Sequence, residues 1–283
     1  MSRLAARVLT GTALAIGAAV LLWLESHFLP GRVALAVITS IAVIAAWELD
    51  HMGSLRGAGL KLPLQGAALG LAGLCVLAPL DEQPPETRLL LLYGATLGLT
   101  SLGHFSGSIL FRRSPGATTL LSRFTSTALG VWLLPPLFTL LIVKETYGTT
   151  GLVVLVVLAK IGDNAGFFVG RALGRRHPFP RISPGKTVAG CAASLVAGIA
   201  AGTVLLPYTL GTPDPRGFLL GALLGGLVNV AAQAGDLSES WVKRRAGVKD
   251  ASSLVGPAGG VLDVIDSLLL ASPVALLSWA WIY

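Results

Sequence analysis

The segment from Gln233 to Asp266 gathers acidic, basic and glycine residues in a chain of which only 12% is charged. Carboxylates come at both ends of the segment, and its four basic residues lie between them. The charged residues are Asp236, Glu239, Lys243, Arg244, Arg245, Lys249, Asp250, Asp263 and Asp266. Carboxylates are the hard oxygen ligands of a divalent cation, and basic residues with accessible glycine backbone bind phosphates. A cytoplasmic loop of a membrane protein would explain the lysines and arginines. Because it would not explain the carboxylates or Gly259-Gly260, the composition favours a site for a metal ion and a polyphosphate.

A second candidate phosphate site lies upstream, in Ser183-Pro184-Gly185-Lys186-Thr187. Pro184 and Gly185 predict a turn, after which Lys186 and Thr187 stand where an apolar helix begins. The N-terminus of a helix offers free backbone N–H groups and the positive end of its dipole to an anion. The glycine spacing upstream differs from that of a Walker A loop, so this segment predicts a phosphate contact of another kind.

Several charged and polar residues fall in or beside apolar segments. Lys160 and Asp163 are three residues apart and share a helix face, where they predict either a site or a neutral pair that joins helices. The spacing of Asn229, Gln233, Asp236 and Ser240 predicts one polar helix face, and Asp263 and Asp266 share a face at the start of the last helix. Carboxylates from these two helix ends are predicted to hold Mg²⁺. Glu48 is a further candidate, since a carboxylate at the end of a span needs a partner.

The elements that must position these residues are predicted to be membrane-spanning helices. The chain has 283 residues, 53% of them hydrophobic, with a mean hydropathy of +0.75, which predicts an all-α polytopic integral membrane protein. Nine apolar segments are of roughly spanning length: 8–24, 33–49, 62–80, 89–103, 124–143, 151–170, 188–207, 217–235 and 262–282. The first is interpreted as a retained helix, with a signal peptide as the alternative. Cys75 and Cys191 both lie in apolar segments and predict neither a disulfide nor a zinc site.

The distribution of basic residues predicts the orientation of these helices. With a cytoplasmic N-terminus and an external C-terminus, sixteen of the 21 lysines and arginines fall in cytoplasmic segments, four in external ones, and Lys160 within a span. The residues around 163, around 186 and from 236 to 266 then all face the cytoplasm. A cytosolic nucleotide is therefore the expected soluble substrate. Because the same rule explains the net charge of +7, nucleic acid is not an expected partner.

The motifs resemble those of the phosphatidate cytidylyltransferases, also called CDP-diacylglycerol synthases. The resemblance rests on Ser240-Trp241-Val242-Lys243-Arg244, Lys249-Asp250, Gly259-Gly260 with Asp263 and Asp266, Gly235-Asp236, Ser183-Pro184-Gly185-Lys186-Thr187, and Asp163 with Ala165, Phe168, Gly170 and Gly174. It covers roughly 163–275 and, before that, only Trp47-Glu48. We therefore divide the chain into two parts. Residues 1–123 form N-terminal helices that match the family weakly, and residues 124–283 form C-terminal helices that carry the motifs.

The resemblance implies a Mg²⁺-dependent reaction of CTP with phosphatidic acid, giving CDP-diacylglycerol and pyrophosphate for phospholipid biosynthesis. It implies these roles: catalysis by Asp236, Lys243, Asp263 and Asp266; metal binding by Asp163, Asp236, Asp263 and Asp266; nucleotide or phosphate binding by Ser183, Lys186, Thr187, Lys243, Arg244, Lys249 and Asp250. The expected location is the bacterial inner (cytoplasmic) membrane with the active site facing the cytoplasm. The expected partners are the two substrates, the lipid bilayer and, by resemblance, a second copy of the chain in a homodimer.

Three positions depart from the family pattern. Ala258 stands where the family usually has a histidine, Val264 where it usually has an arginine, and Ala189 where it commonly has an acidic or amide residue. Loss of the arginine removes a bidentate phosphate contact. Two alternatives therefore stay open beside the cytidylyltransferase: a related CTP-dependent transferase or kinase on another lipid acceptor, and a catalytically weakened paralogue. A transporter is disfavoured, because no inverted repeat is visible.

Overall fold

The computed structural model describes Gly17, Val20 and residues 32–52, 61–77, 83–110 and 117–280. Every regular element in these ranges is helical, and they contain no strand. The structure therefore confirms the all-α prediction for the described part of the chain. The predicted first span, 8–24, lies outside the described residues apart from Gly17 and Val20, both of which are helical.

The described helices follow the order of the predicted apolar segments. They are α1 (Arg32–His51), α2 (Lys61–Leu77), α3 (Pro85–Leu110), α4 (Ala117–Leu173), α5 (Val188–Thr209), α6 (Pro215–Arg245), α7 (Val261–Ile265) and α8 (Leu268–Trp279), with a 3₁₀ turn at Gly256–Ala258. Five helical stretches among the described residues are long and apolar enough to cross a membrane: Arg32–Leu49, Arg123–Leu173, Val188–Thr209, Pro215–Arg245 and Val261–Trp279.

Helix α4 is interrupted at Gly148, whose φ of 71° and ψ of 180° are not helical. This break separates 117–147 from 149–173 and lies between the predicted fifth and sixth spans. A positive φ is accessible to glycine because it lacks Cβ. The 57-residue helix is therefore two helical segments, and the second carries Lys160 and Asp163.

The last apolar segment is interrupted at Asp266 and Ser267, which separate the short α7 from α8. The sequence predicts that Asp263 and Asp266 share a face of one helix, whereas the structure places Asp263 in α7 and Asp266 in the turn after it. Helix α6, in contrast, continues to Arg245, so Asp236 and Lys243 both lie on a regular helix.

The chain forms two compact units, 1–141 with 245–264 and 142–244 with 265–283. In the first unit, α1 packs against α2, and α2 against α3. In the second unit, α5 and α6 approach so closely that a Cβ built at Gly202 would lie 2.5 Å from the Cα of Gly225. Small residues at such an interface allow two backbones to touch, as is common between membrane helices. This packing fixes α6, which carries Asp236, against α5, which begins two residues after Lys186.

Candidate active site

Three carboxylates of the second unit meet at one point. Asp236 and Glu239 lie on α6, Asp266 lies in the turn before α8, and one oxygen from each falls within 4.8 Å of the others. We call Asp236, Glu239 and Asp266 the acidic cluster. Like charges at this separation repel each other, so the arrangement requires positive charge nearby.

Each carboxylate of the acidic cluster forms an ion pair with a lysine. Lys186 Nζ lies 2.7 Å from Asp236 Oδ2, and Lys243 Nζ lies 2.6 Å from Glu239 Oε2. Lys160 Nζ lies 3.0 Å from Asp266 Oδ1. The lysines neutralise the cluster and come from α4, the segment before α5, and α6.

Lys160 links the cluster to a fourth carboxylate. Its Nζ is 3.8 Å from Asp163 Oδ2, one turn further along α4. The sequence predicts a pair between Lys160 and Asp163, and the structure contains it, but the shorter contact of Lys160 is with Asp266. Three lysines face four carboxylates in this part of the second unit, so the group keeps a formal negative charge.

Local packing explains why Asp266 lies beside α6. A Cβ built at Gly235 would come within 2.5 Å of the carbonyl oxygen of Asp266 and 3.2 Å of that of Ser267. Because glycine lacks this atom, the backbone of the turn rests directly on the helix one residue before Asp236. Asp236 and Glu239, three residues apart, share the α6 face that meets this turn.

The segment before α5 is fixed at both ends. Thr187 is the N-cap of α5, and its hydroxyl accepts a hydrogen bond from the N–H of Gly190 at 3.1 Å. Arg244 Nε donates to the carbonyl oxygen of Ile182 at 3.2 Å. Lys186 is therefore held between a helix cap and the end of α6. The predicted start of the helix at Lys186-Thr187 is confirmed.

A cavity of about 400 Å³ opens beside these residues. Its charged wall contains Asp163, Lys186 and Asp236, and Ser183 and Thr187 lie next to Lys186. The remaining wall consists of small and amide-bearing residues with one aromatic ring, Phe167. Of the residues predicted to bind metal or phosphate, the structure thus brings five to one cavity.

Residues of the 245–264 segment belong to the first unit. Asp263 Oδ2 accepts hydrogen bonds from the N–H groups of Ala251 at 2.9 Å and Gly260 at 2.6 Å. These two bonds close the segment into a loop. Lys249 and Asp250 are exposed on this loop.

Glu48 of α1 anchors the same loop. Its carboxylate is fully buried and accepts hydrogen bonds from Ser252 Oγ at 2.6 Å, from the N–H of Val261 at 2.8 Å and from that of Leu262 at 2.7 Å. A buried carboxylate with three donors is satisfied without a cation. The hydroxyl of Ser252 is therefore engaged in holding the loop.

The site contains two contributions absent from the predicted ligand set. Glu239, fully buried, belongs to the acidic cluster, and Lys160 binds Asp266 across 106 positions of sequence. The spacing of Asp236 and Glu239 on one helix face is the signal that predicts the first. No local pattern predicts the second, because the two residues lie on different elements.

The acidic cluster suits a divalent cation. Its three oxygens come from separate carboxylates, lie within 4.8 Å of one another and are half-buried or buried. Magnesium is bound in proteins by one or two carboxylates together with water and substrate phosphates. Asp236, Glu239 and Asp266 would hold such an ion, and their lysine partners would then be available to phosphate oxygens.

Comparison with known proteins places this architecture among related chains. Residues 5–281 match the model of a family described as "Cytidylyltransferase family". The phosphatidate cytidylyltransferase of Pseudomonas aeruginosa is 33% identical over 254 residues, which cover 88% of this chain and 78% of the relative. That of Brucella suis is 40% identical over 128 residues, 45% of this chain and 46% of the relative. That of Aquifex aeolicus is 35% identical over 141 residues, 50% and 51% respectively. The chain thus spans about half the length of the Brucella and Aquifex relatives that it matches.

Proposed function

This chain belongs to the cytidylyltransferase family, and we propose that it transfers the cytidylyl group of CTP to phosphatidic acid. The products are CDP-diacylglycerol, an intermediate of phospholipid biosynthesis, and pyrophosphate. One observation carries the proposal beyond family membership: the acidic cluster and its three lysines lie beside a cavity lined by Lys186 and Thr187. Clustered carboxylates next to lysines are what a nucleoside triphosphate and its metal require.

In the proposed reaction, an oxygen of the lipid phosphate attacks the α-phosphorus of CTP and pyrophosphate leaves. The lipid phosphate is largely dianionic near neutral pH, since the second pKa of a phosphomonoester is about 6. A general base is therefore unnecessary, and Ala258 in place of a histidine is compatible with turnover. The residues of the chain act by positioning the reactants and by neutralising charge.

We assign the charged residues as follows. Asp236, Asp263 and Asp266, with Asp163, are proposed metal ligands, and Glu239 joins them because of its place in the acidic cluster. Lys186, Lys243, Arg244 and Lys249 contact phosphates of CTP or of the lipid, Ser183 and Thr187 donate hydroxyl hydrogen bonds, and Asp250 belongs to the nucleotide site. Mg²⁺ would supply Lewis-acid stabilisation of the charge that develops on the phosphates.

The setting is proposed from the distribution of hydrophobic and basic residues. Nine spanning helices, a cytoplasmic N-terminus and an external C-terminus would place the site at the cytoplasmic face of a bacterial inner membrane. Residues 1–123 would form a helical domain of the membrane, and residues 124–283 would carry the reaction. Lipid acceptor would enter from the bilayer, and a homodimer is the proposed assembly.

A second candidate function is favoured by Ala258 and Val264, which lack the side chains usual in the resembling family. It is a CTP-dependent transferase or kinase that acts on another lipid acceptor, such as a polyprenyl alcohol. A weakened cytidylyltransferase would arise from the same departures. A panel of phosphatidic acid, polyprenyl phosphate and lipid alcohols, each with labelled CTP, separates these functions by the product formed.

The decisive experiment uses purified protein in detergent with labelled CTP, phosphatidic acid and Mg²⁺. We expect CDP-diacylglycerol and pyrophosphate in equal amounts, lost with EDTA and in the Asp263→Asn protein. Product formation that persists in EDTA would overturn the metal requirement. Near-normal turnover by Asp263→Asn would remove this aspartate from the metal site. If product forms with another lipid acceptor and none forms with phosphatidic acid, the second candidate function is established.

A further inference from the structure

Part of the lining of the cavity beside the acidic cluster, here called the recess, differs in chemistry from the charged wall. Gly162, Gly166 and Gly190 line it with backbone alone, Phe167 contributes an aromatic ring, and Ser194 and Gln233 supply polar groups. Gln233 lies three residues before Asp236 on α6, about 4.5 Å along the helix axis. An aromatic ring and polar groups next to residues proposed to bind phosphate suit a planar heterocycle.

The amide of Gln233 is held in one orientation by its neighbours. Its Nε2 donates to Asn229 Oδ1 at 2.9 Å and lies 3.4 Å from the carbonyl oxygen of Cys191. The Cys191 carbonyl is only an acceptor, so reversal of the amide would set two acceptors against each other. Ser194 Oγ donates to the same Asn229 oxygen at 3.1 Å, which fixes Asn229 in turn. Oε1 is therefore the atom of this amide that remains to meet a bound molecule.

An acceptor at this place distinguishes the pyrimidine bases. Cytosine carries an exocyclic amino group, a donor, where uracil carries a carbonyl oxygen, an acceptor. We propose that Gln233 reads the nucleobase, its Oε1 accepting a hydrogen bond from the amino group of cytosine in the recess. The assignment rests on the proposed function, and it makes Gln233 the residue that selects CTP over UTP. A site built around one hydrogen bond rejects an analogue that leaves its polar group unpaired.

The test removes the two partners of this hydrogen bond separately and together. Full-length protein in detergent is assayed with CTP, with UTP and with the triphosphate of pyrimidin-2-one riboside, which lacks the amino group. For the wild-type protein we expect kcat/KM for CTP to exceed that for either analogue by at least about tenfold. In Gln233→Met, which keeps the length of the side chain, we expect this preference to fall to about twofold or less, through loss with CTP.

A matched variant separates base reading from general damage. Gln233→Glu keeps acceptor oxygens but loses the Nε2 donor that holds Asn229 Oδ1. Reversal of the Asn229 amide would then direct its buried Nδ2, which has no hydrogen-bond partner among the described residues, at the new carboxylate. We expect Gln233→Glu to bind both nucleotides more weakly, because its charge repels the triphosphate, and to keep the preference for CTP. If Gln233→Met does not fold, equilibrium binding of the three triphosphates to the wild-type and Gln233→Glu proteins tests the same preference.

The outcomes are distinct. Loss of preference in Gln233→Met, with preference kept in Gln233→Glu, supports the assignment. Two results overturn the assignment while the cytidylyltransferase function stands. One is an unchanged preference for CTP in Gln233→Met, and the other is a wild-type protein whose kcat/KM for the amino-free analogue equals that for CTP. If Gln233→Met raises the KM for phosphatidic acid and leaves the preference for CTP unchanged, the assignment is overturned, because the recess then binds the lipid and not the nucleobase. A wild-type protein that forms no product from CTP and phosphatidic acid would instead overturn the proposed function.

Discussion

The carboxylate of Glu48 lies directly against Gly260, so that a Cβ built at residue 260 would come 2.5 Å from Glu48 Oε1 and 2.8 Å from Oε2. The neighbouring Gly259 has a φ of 93°, a conformation that L side chains rarely adopt. The glycine pair of the motif therefore has a structural purpose. It lets a buried acid on α1 reach the backbone of the loop that carries Asp263.

We predict that Gly260→Ala disrupts this loop and lowers kcat at least about tenfold, because the new methyl group displaces the Glu48 carboxylate from its three donors. Steady-state kinetics and limited proteolysis of the 245–264 segment measure the two effects. Gly94→Ala is the matched control, since a Cβ there meets nothing within 4 Å. An equally active and equally resistant Gly260→Ala protein would show that the Glu48 contact is dispensable.

We predict that Gly235→Ala weakens metal binding more than it weakens the fold. Its methyl group would press on the carbonyl oxygens of Asp266 and Ser267 and push that turn away from Asp236 and Glu239. Titration with Mn²⁺, followed by its electron paramagnetic resonance signal, should show affinity lowered at least about tenfold, the range typical of perturbed metal surroundings. The thermal midpoint in EDTA reports the fold, and an affinity equal to that of the wild type would contradict the role of this contact.

We predict opposite effects of Lys160→Met on stability and on metal affinity. Without its cation, Asp266 is left beside two other carboxylates, and the metal-free protein should lose roughly 1 kcal/mol, discounted because the lysine side chain is 34% exposed. A divalent cation would no longer compete with the ammonium group and should bind at least about threefold more tightly.

The measurement for Lys160→Met is the thermal midpoint in EDTA and at saturating Mg²⁺. We expect a lower midpoint in EDTA and a larger rise on adding the cation, compared with the wild type. Lys144→Met is the control, because Lys144 is one of the four basic residues that the charge distribution predicts to lie in external segments. A smaller rise than in the wild type would mean that Lys160 assists metal binding.

We predict that Glu239→Gln destabilises the protein even without metal. Glu239 is fully buried and Lys243 is 8% exposed, so the substitution leaves a buried cation opposite a neutral amide. Breaking one side of a buried pair costs about 3–5 kcal/mol, whereas replacing both sides is often neutral. The double variant Glu239→Gln/Lys243→Met should therefore recover most of the thermal midpoint.

Activity separates the two roles of Glu239. If it also holds the metal, the double variant stays inactive and needs a higher Mg²⁺ concentration for any residual turnover. Recovery of both the thermal midpoint and the activity would remove Glu239 from the proposed metal site. Recovery of neither would mean that the ion pair, and not charge balance, is required for the fold.

Much of the site was predictable because its chemistry is local in sequence. The cap at Thr187, the helix that begins there, and the shared face of Asp236 and Glu239 follow from residue types at helical spacing. The interruption of the last helix at Asp266 was not predictable, since the apolar segment continues across it without a proline or glycine. At this break the turn packs against Gly235, 31 positions earlier in the chain, and such a tertiary contact is not visible in the local sequence.

The sequence by itself determined the all-helical class, the apolar segments and the residue types available for metal and phosphate, because composition and periodicity are properties of short stretches. Only the tertiary structure decided which charges become partners. Lys160 meets Asp266 across 106 positions and Glu48 meets Leu262 across 214, since such pairs depend on which helix faces pack together. Buried charges are costly unless they are satisfied, and the fold supplies partners that no local pattern contains.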